Sequence, residues 1–302
     1  MNLTSRHLDF RVKDVREAEA YCRALASEHY ENFTVVIPGL SADIRQDLAN
    51  IYAFARWADD LADETQNPET ALRRLEKFEM FLEETYKGNP PNHPVFLALK
   101  RSVDRRDYDQ SHFFDLLSAF RQDQRVNRYQ TFSELINYCE RSANPVGRLV
   151  LQTFDMLDEQ TRYYADKTCS ALQLTNFWAD VALDADKGRI YFPQEDLERF
   201  SVQESDIFAE EMTRELRDLI AFQVERTRDW FRVGWQLVEE VGGPLALCVE
   251  GFNAGGWAVL EKLEKENFDV FTKRWTLTGT EKAWLFVRGL WRWSAGVSRP
   301  PC

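Results

Sequence analysis

Residues 52–63 read Tyr52-Ala53-Phe54-Ala55-Arg56-Trp57-Ala58-Asp59-Asp60-Leu61-Ala62-Asp63. Tyr52, Arg56, Asp59 and Asp63 step by four, three and four positions, which places them on one helical face. Like charges at i, i+4 repel by about a few tenths of a kcal/mol. A lone Asp-x-x-x-Asp is ordinarily a solvated acidic face. Here Ile51, Phe54, Trp57, Ala58, Leu61 and Ala62 take up the rest of the circumference. A helix that is apolar nearly all round is a buried helix, and a buried carboxylate needs a partner or a metal.

A second stretch repeats the pattern. In residues 173–184 the polar positions Gln173, Asn176, Asp180 and Asp184 step by three, four and four through an apolar, Trp-bearing helix. Each stripe spans about 16 Å of helix. Two such stripes predict facing acidic surfaces with a gap between them. Oxygen ligands without His or thiolate suit Mg²⁺, which keeps several waters and bridges to phosphate. The substrate implied is a phosphate ester whose diphosphate leaves once its charge is neutralised. The apolar remainder of the wall implies a hydrocarbon for the organic part. Arg189 follows in Lys187-Gly188-Arg189-Ile190-Tyr191-Phe192-Pro193, where it can fork onto phosphate oxygens or close a salt bridge at the helix end.

The rest of the chain is read as helices, over 14–30, 41–65, 68–87, 93–104, 110–126, 131–156, 159–186, 205–240, 244–266 and 279–294. Thr131 to Glu134, Ser201 to Glu204 and Thr278 to Glu281 have capping-box spacing. Asn67-Pro68 places a cap before a first-turn proline. Gly188 and Gly242-Gly243-Pro244 mark stops. Period-two strand signals are almost missing, and no linker or repeat divides the helices. The expectation is one all-α domain over residues 1–302.

Composition narrows the function classes. The 302 residues are 44% hydrophobic and 13% aromatic, enough for a large core, and carry a formal net charge of −12. That balance argues against nucleic-acid binding, which needs a cationic footprint. Five scattered cysteines with no Cys-x-x-Cys pair suit a reducing cytoplasm. Met1 to Phe10 has no secretory h-region, and no stretch approaches the length of a membrane-spanning helix.

Asp59-Asp60-Leu61-Ala62-Asp63 resembles the first aspartate-rich motif of the squalene/phytoene synthase family. Asn176-x-x-x-Asp180-x-x-x-Asp184 with Gly188-Arg189-x-Tyr191-x-Pro193 resembles its second. Tyr52 and Arg56 match the Tyr-x-x-x-Arg lead-in, and Tyr138 to Gly147 is similar to a further family segment. The similarity runs from about His29 to Arg274.

The resemblance implies a single isoprenoid-synthase-type helical bundle with a central cavity and a Mg²⁺-dependent reaction on prenyl diphosphates. It assigns Asp59, Asp63, Asp180 and Asp184 to metal, with Asp60 a further candidate. Tyr52, Arg56, Gln173, Asn176, Arg189 and Tyr191 would contact diphosphate or shape the site.

Two departures stand out. Where many members carry a His-Ser-x-Ser-Phe segment, this chain has His29-Tyr30-Glu31-Asn32-Phe33, leaving His29 and Asn32 as the polar candidates for substrate. Ser142-Ala143-Asn144-Pro145-Val146-Gly147 brings in Asn144 and Pro145. Both segments resemble the bacterial hopanoid-pathway branch that makes hydroxysqualene from presqualene diphosphate, a carbon–oxygen lyase. Asn144, with Glu140, could hold the attacking water; equally, Asn144 could cap a bend at Pro145.

No Gly-x-Gly-x-x-Gly follows a strand, so an NADPH site has no support. The alternatives are a condensing prenyltransferase of the same family acting on farnesyl diphosphate, and a non-catalytic helical protein that binds lipids or partners. The segment from Trp284 to Trp293 mixes aromatics with arginines. It reads either as a packed terminal helix or as a peripheral contact at the inner membrane face. The resemblance implies other enzymes of squalene synthesis as candidate partners.

Overall fold

The computed structural model describes residues 8–28, 39–65, 67–281 and 285. Among these there are helices and no strand, in the order α1 (Val15–Glu28), α2 (Ala42–Asp63), α3 (Pro68–Tyr86), α4 (Pro94–Arg106), α5 (Gln110–Gln122), α6 (Phe132–Ser142) and α7 (Asn144–Thr153). There follow α8 (Glu159–Ala179), α9 (Val181–Asp186), α10 (Gln194–Phe200), α11 (Glu204–Phe208), α12 (Arg214–Gly234), α13 (Leu237–Val241) and α14 (Gly243–Lys265). The all-α expectation holds. No helix among the described residues is long and apolar enough to cross a membrane.

Contacts divide the described chain into two compact units. The first runs to Arg125 and includes Arg148–Leu157; the second comprises Val126–Gly147 and everything from Asp158 onward.

In the first unit α2 is the central helix. Phe54 is fully buried among Phe78, Phe96 and Phe113, with ring centroids at 5.2, 6.2 and 5.0 Å. Burying each such ring contributes about 1.5–3 kcal/mol. Trp57 donates to Tyr21 Oη at 3.0 Å and meets the His93 ring edge-on at 4.4 Å. The fully buried Asp47 accepts from Ser102 Oγ at 2.7 Å and Arg106 Nε at 3.0 Å, the pairing that a carboxylate in the core requires.

In the second unit α8 packs along α12. Gly234 permits the close approach: a Cβ there would lie 2.4 Å from Thr168 Oγ1 and 2.8 Å from the Thr168 nitrogen. Trp178 donates to Thr227 Oγ1 at 2.8 Å, and α14 brings Gly256 against Phe231 and Leu172.

Three long helices expected from the sequence are broken. Residues 131–156 form α6 and α7, separated at Ala143. Pro145 disfavours helical backbone at Asn144 and is tolerated only in a first turn, so a new helix starts there. Residues 159–186 break at Asp180 (φ −107°, ψ 18°). Residues 205–240 become α11, α12 and α13. Glu210 turns left-handed (φ 53°), and Thr213 caps α12 by accepting from Leu216 N at 3.1 Å.

The cap at Asn67 is as expected: its Oδ1 accepts from Glu69 N and Thr70 N. The Ser201 box is not. Ser201 ends α10 at φ 57°, and Gln203 begins α11 instead. The helix expected over 279–294 lies largely outside the described residues.

Candidate active site

The sequence places candidates in both units. In the first, Tyr52, Arg56, Asp59, Asp60 and Asp63 project from the C-terminal half of α2. The expectation of wholly buried carboxylates is corrected here. Asp63 is exposed and the Asp59 side chain retains 45% exposure, while Asp60 is buried. Arg56 reaches forward along its own helix to both Asp59 and Asp60. Its Nη2 lies 2.8 Å from Asp60 Oδ1 and its Nη1 3.4 Å from Asp59 Oδ2. The Arg56 Nε is buried without a hydrogen-bond partner, an unused donor beside two carboxylates. Tyr52 is buried one turn before it.

In the second unit Gln173, Asn176 and Asp180 follow the accessible edge of α8. Gln173 is half-buried and Asn176 exposed, so this stripe also faces outward more than a buried helix predicts. Asp180 stands at the break between α8 and α9, and its backbone N–H donates to Asn176 O at 2.8 Å. Arg274 lies on its carboxylate, Nε to Oδ1 at 2.6 Å and Nη2 to Oδ2 at 2.7 Å.

One turn on, burial raises the Asp184 carboxyl, and the negative charge of Asp180 raises it further. Arg189, Lys187 and Arg274 pull the other way, and the group is pushed up to about 7. The protonation of Asp184 therefore depends on how much positive charge stands beside it.

The backbone then turns at Gly188 (φ 73°), a left-handed position that suits glycine. The Arg189 N–H donates to Asp184 O at 2.8 Å. Asp184, Arg189 and Tyr191 share a crevice with Phe177, Trp178 and Ile207. The Tyr191 ring stacks on Phe177 at 3.8 Å and 10°, and Tyr138 and Tyr129 extend that wall at 6.2 and 6.0 Å from Tyr191. Trp178 stacks on Phe192 at 5.1 Å. The arrangement sets negative charge and a guanidinium beside a cluster of stacked aromatic rings, most of them buried.

Asn144 is buried, and its Oδ1 accepts from Ser170 Oγ at 2.9 Å, tying the start of α7 to α8. His29 and Asn32 lie outside the described residues. Sequence reasoning missed Arg274, which reaches Asp180 across 94 residues with no local pattern to announce it. It also left Tyr129 unmarked and quoted Tyr138 without a role.

Among the described residues no three acidic, His or Cys side chains gather into a metal cage. Mg²⁺ needs none, since one or two carboxylates with water and substrate phosphate are its usual ligands. The donors fit that ion, since both stripes offer only oxygen ligands; Asp180 is at present held by Arg274, and the Asp184 carboxyl is raised by burial and by Asp180.

A family model described as squalene/phytoene synthase matches residues 26–281. The phytoene synthase of Arthrospira platensis is 30% identical over 84% of this chain and 86% of its own length. The 15-cis-phytoene synthase of Synechococcus elongatus is 31% identical over 87% and 89%. Among solved structures, squalene synthase HpnC from Alicyclobacillus acidocaldarius superimposes with a TM-score of 0.80 at 35% identity. It covers 85% of this chain and 97% of its own.

Proposed function

The chain belongs to the squalene/phytoene synthase family, and from that premise we propose that it is a Mg²⁺-dependent enzyme converting presqualene diphosphate and water to hydroxysqualene and diphosphate. On this reading residues 1–302 work as one prenyl-diphosphate-processing domain. Asp59, Asp63, Asp180 and Asp184 hold Mg²⁺, with Asp60 secondary, and Arg56, Arg189, Gln173 and Asn176 bind the diphosphate. When bound, Mg²⁺ neutralises the leaving group.

The bond between the cyclopropylcarbinyl carbon and oxygen breaks, and its electron pair leaves with the diphosphate. The carbocation rearranges. A water oxygen forms the new carbon–oxygen bond, and the proton it sheds passes to the released diphosphate or to solvent. No electrons are gained or lost, so the reaction as written needs no hydride donor.

The observation that carries the reading is the stacked pair Tyr191 and Phe177 in one crevice with Asp184 and Arg189, with the buried rings of Tyr138 and Tyr129 packed next to Tyr191. An ionising prenyl diphosphate creates a cation next to its leaving group, and aromatic faces stabilise cations by about 0.5–2 kcal/mol each. The squalene side of the family is supported by the 35% identity to a protein described as a squalene synthase. The water-quenching outcome is supported by Tyr30 and Asn32, which stand where the condensing pattern has serines, and by Asn144. The phytoene synthase relatives favour the second reading, head-to-head condensation of prenyl diphosphates.

The test is a Mg²⁺ assay with presqualene diphosphate in one tube and farnesyl diphosphate in another, the lipids being identified by mass spectrometry. Hydroxysqualene from the first alone supports the proposal. Presqualene diphosphate or a hydrocarbon from farnesyl diphosphate establishes the condensing reading. An Asn144→Ala variant with unchanged hydroxysqualene yield removes Asn144 from the water-holding role.

A further inference from the structure

Arg128, in the connection between α5 and α6, has no assigned role, yet four hydrogen bonds surround its guanidinium. The Nε and Nη2 groups fork onto Glu204 Oε1 and Oε2 at 2.8 and 2.9 Å. The Nη1 group donates to two carbonyl oxygens, those of Asn127 and Gly188, each at 2.7 Å. Phe208, also on α11, lies 5.6 Å below the guanidinium carbon.

Gly188 O belongs to the peptide whose nitrogen is that of Arg189, and this N–H donates to Asp184 O at 2.8 Å. The peptide plane that launches Arg189 is therefore held at both edges, by Arg128 on the oxygen side and by the Asp184 carbonyl on the nitrogen side. The next residue continues the attachment, since Ile190 N donates to Asn127 O at 3.1 Å. Gln194 N and Glu195 N then reach Tyr129 O and Gln130 O at 2.8 and 3.0 Å. A left-handed glycine leaves a turn free to re-orient; a charged donor on its carbonyl removes that freedom.

We propose that Arg128 is a positioning residue for Arg189, with Glu204 as its anchor, fixing the peptide that aims Arg189 into the crevice beside Asp184. The proposal rests on the reading of Arg189 as a diphosphate ligand. Arg128 does not line that crevice; it acts through the Gly188 carbonyl. Lysine cannot replace it, because one ammonium lacks the planar fork that holds Glu204 while Nη1 grips two carbonyls.

The experiment uses the full chain with two readouts, hydrogen exchange of the Arg189 and Ile190 amides and calorimetric binding of inorganic diphosphate in Mg²⁺. Arg128→Lys is expected to speed exchange of those amides about tenfold and to weaken diphosphate about tenfold, in line with loss of a charge-assisted hydrogen bond. Glu204→Gln should move both readouts about two- to threefold in the same direction, and it keeps the test usable if Arg128→Lys fails to fold.

In an Arg189→Ala background, Arg128→Lys should weaken diphosphate no further, because residues acting as one unit are not additive. Full additivity there overturns the proposal. So does unchanged amide exchange in the variants, or faster exchange with unchanged affinity. If the unmodified protein binds no diphosphate, the functional reading fails, and amide exchange alone then decides whether the clamp exists.

Discussion

Arg274 and Asp180 form a two-pronged ion pair, Nε to Oδ1 at 2.6 Å and Nη2 to Oδ2 at 2.7 Å, in which the Asp180 side chain is 19% exposed and Arg274 56%. A carboxylate assigned to metal is thus already neutralised by a side chain. The partly solvated geometry limits what the pair adds to stability. Its consequence is competition: any cation that takes Asp180 must displace a guanidinium.

Arg274→Ala should therefore bind Mg²⁺ alone more tightly than the unmodified protein, by about three- to tenfold, the range expected for removing one partly screened charge. A Mg²⁺ titration followed by calorimetry or melting temperature reads this directly. Equal or weaker Mg²⁺ binding would show that the pair does not oppose the metal.

The Asp184 carboxyl sets a pH dependence. Its ordinary value is 3.8, and in the fold it is pushed up to about 7 by burial and by Asp180. Between those values the folded state holds a proton that the unfolded state has lost, so metal-free stability falls as pH rises from about 4 to about 7. Mg²⁺, which needs the carboxylate, should bind more strongly as pH rises through 7. Melting curves from pH 4 to 8, with and without Mg²⁺, should show the two slopes, and Asp184→Asn should remove both.

His93 gives the opposite sign. It is buried, neither ring nitrogen has a hydrogen-bond partner, and burial together with Lys77 lowers it from 6.5 to about 3. The unfolded chain therefore binds the proton first, and stability falls as pH drops from about 6.5 towards 3. Because its neighbours are Trp57, Phe78, Phe81 and Phe96, His93→Phe should flatten that acid limb in urea unfolding. Its effect at pH 7.5 should stay within about 1.5 kcal/mol, as for a volume-conserving core exchange.

Two glycine substitutions should diverge. Gly234→Ala drives a methyl into the Thr168 backbone and should cost about 1–3 kcal/mol by overpacking the α8–α12 contact. Gly251 is helical, exposed and has nothing within 4 Å of an added Cβ. Gly251→Ala should gain about 0.5–1 kcal/mol from helix propensity. Denaturant midpoints for the two variants check both signs.

The helices were legible because their apolar spacing and caps are local. Asn67, Thr131 and Thr278 lie where cap chemistry puts them. The carboxylate stripes were legible for the same reason, being a matter of residues three and four apart. Their exposure was not. Whether Asp59 or Asp60 is the buried one depends on which way Arg56 turns, and that depends on packing.

The breaks at Ala143, Asp180 and Glu210 were missed because amphipathic periodicity continues across them; only Pro145 left a local trace. Arg274 and Arg128 act across 94 and 60 or more residues, and nothing in a linear pattern of charges says which carboxylate or carbonyl a distant arginine will meet.

The interruption of α8 at Asp180 has a bearing on laboratory evolution. Ahead of it, Trp178 is fixed by Thr227 and stacked on Phe192; beyond it, only the six residues of α9 carry Asp184 to the Gly188 turn. Within those six residues Val181 alone is buried. Libraries built at Ala182, Leu183, Ala185 and Asp186 can therefore be dense without depleting folded clones, and they vary the segment that carries Asp184 against an unchanged framework.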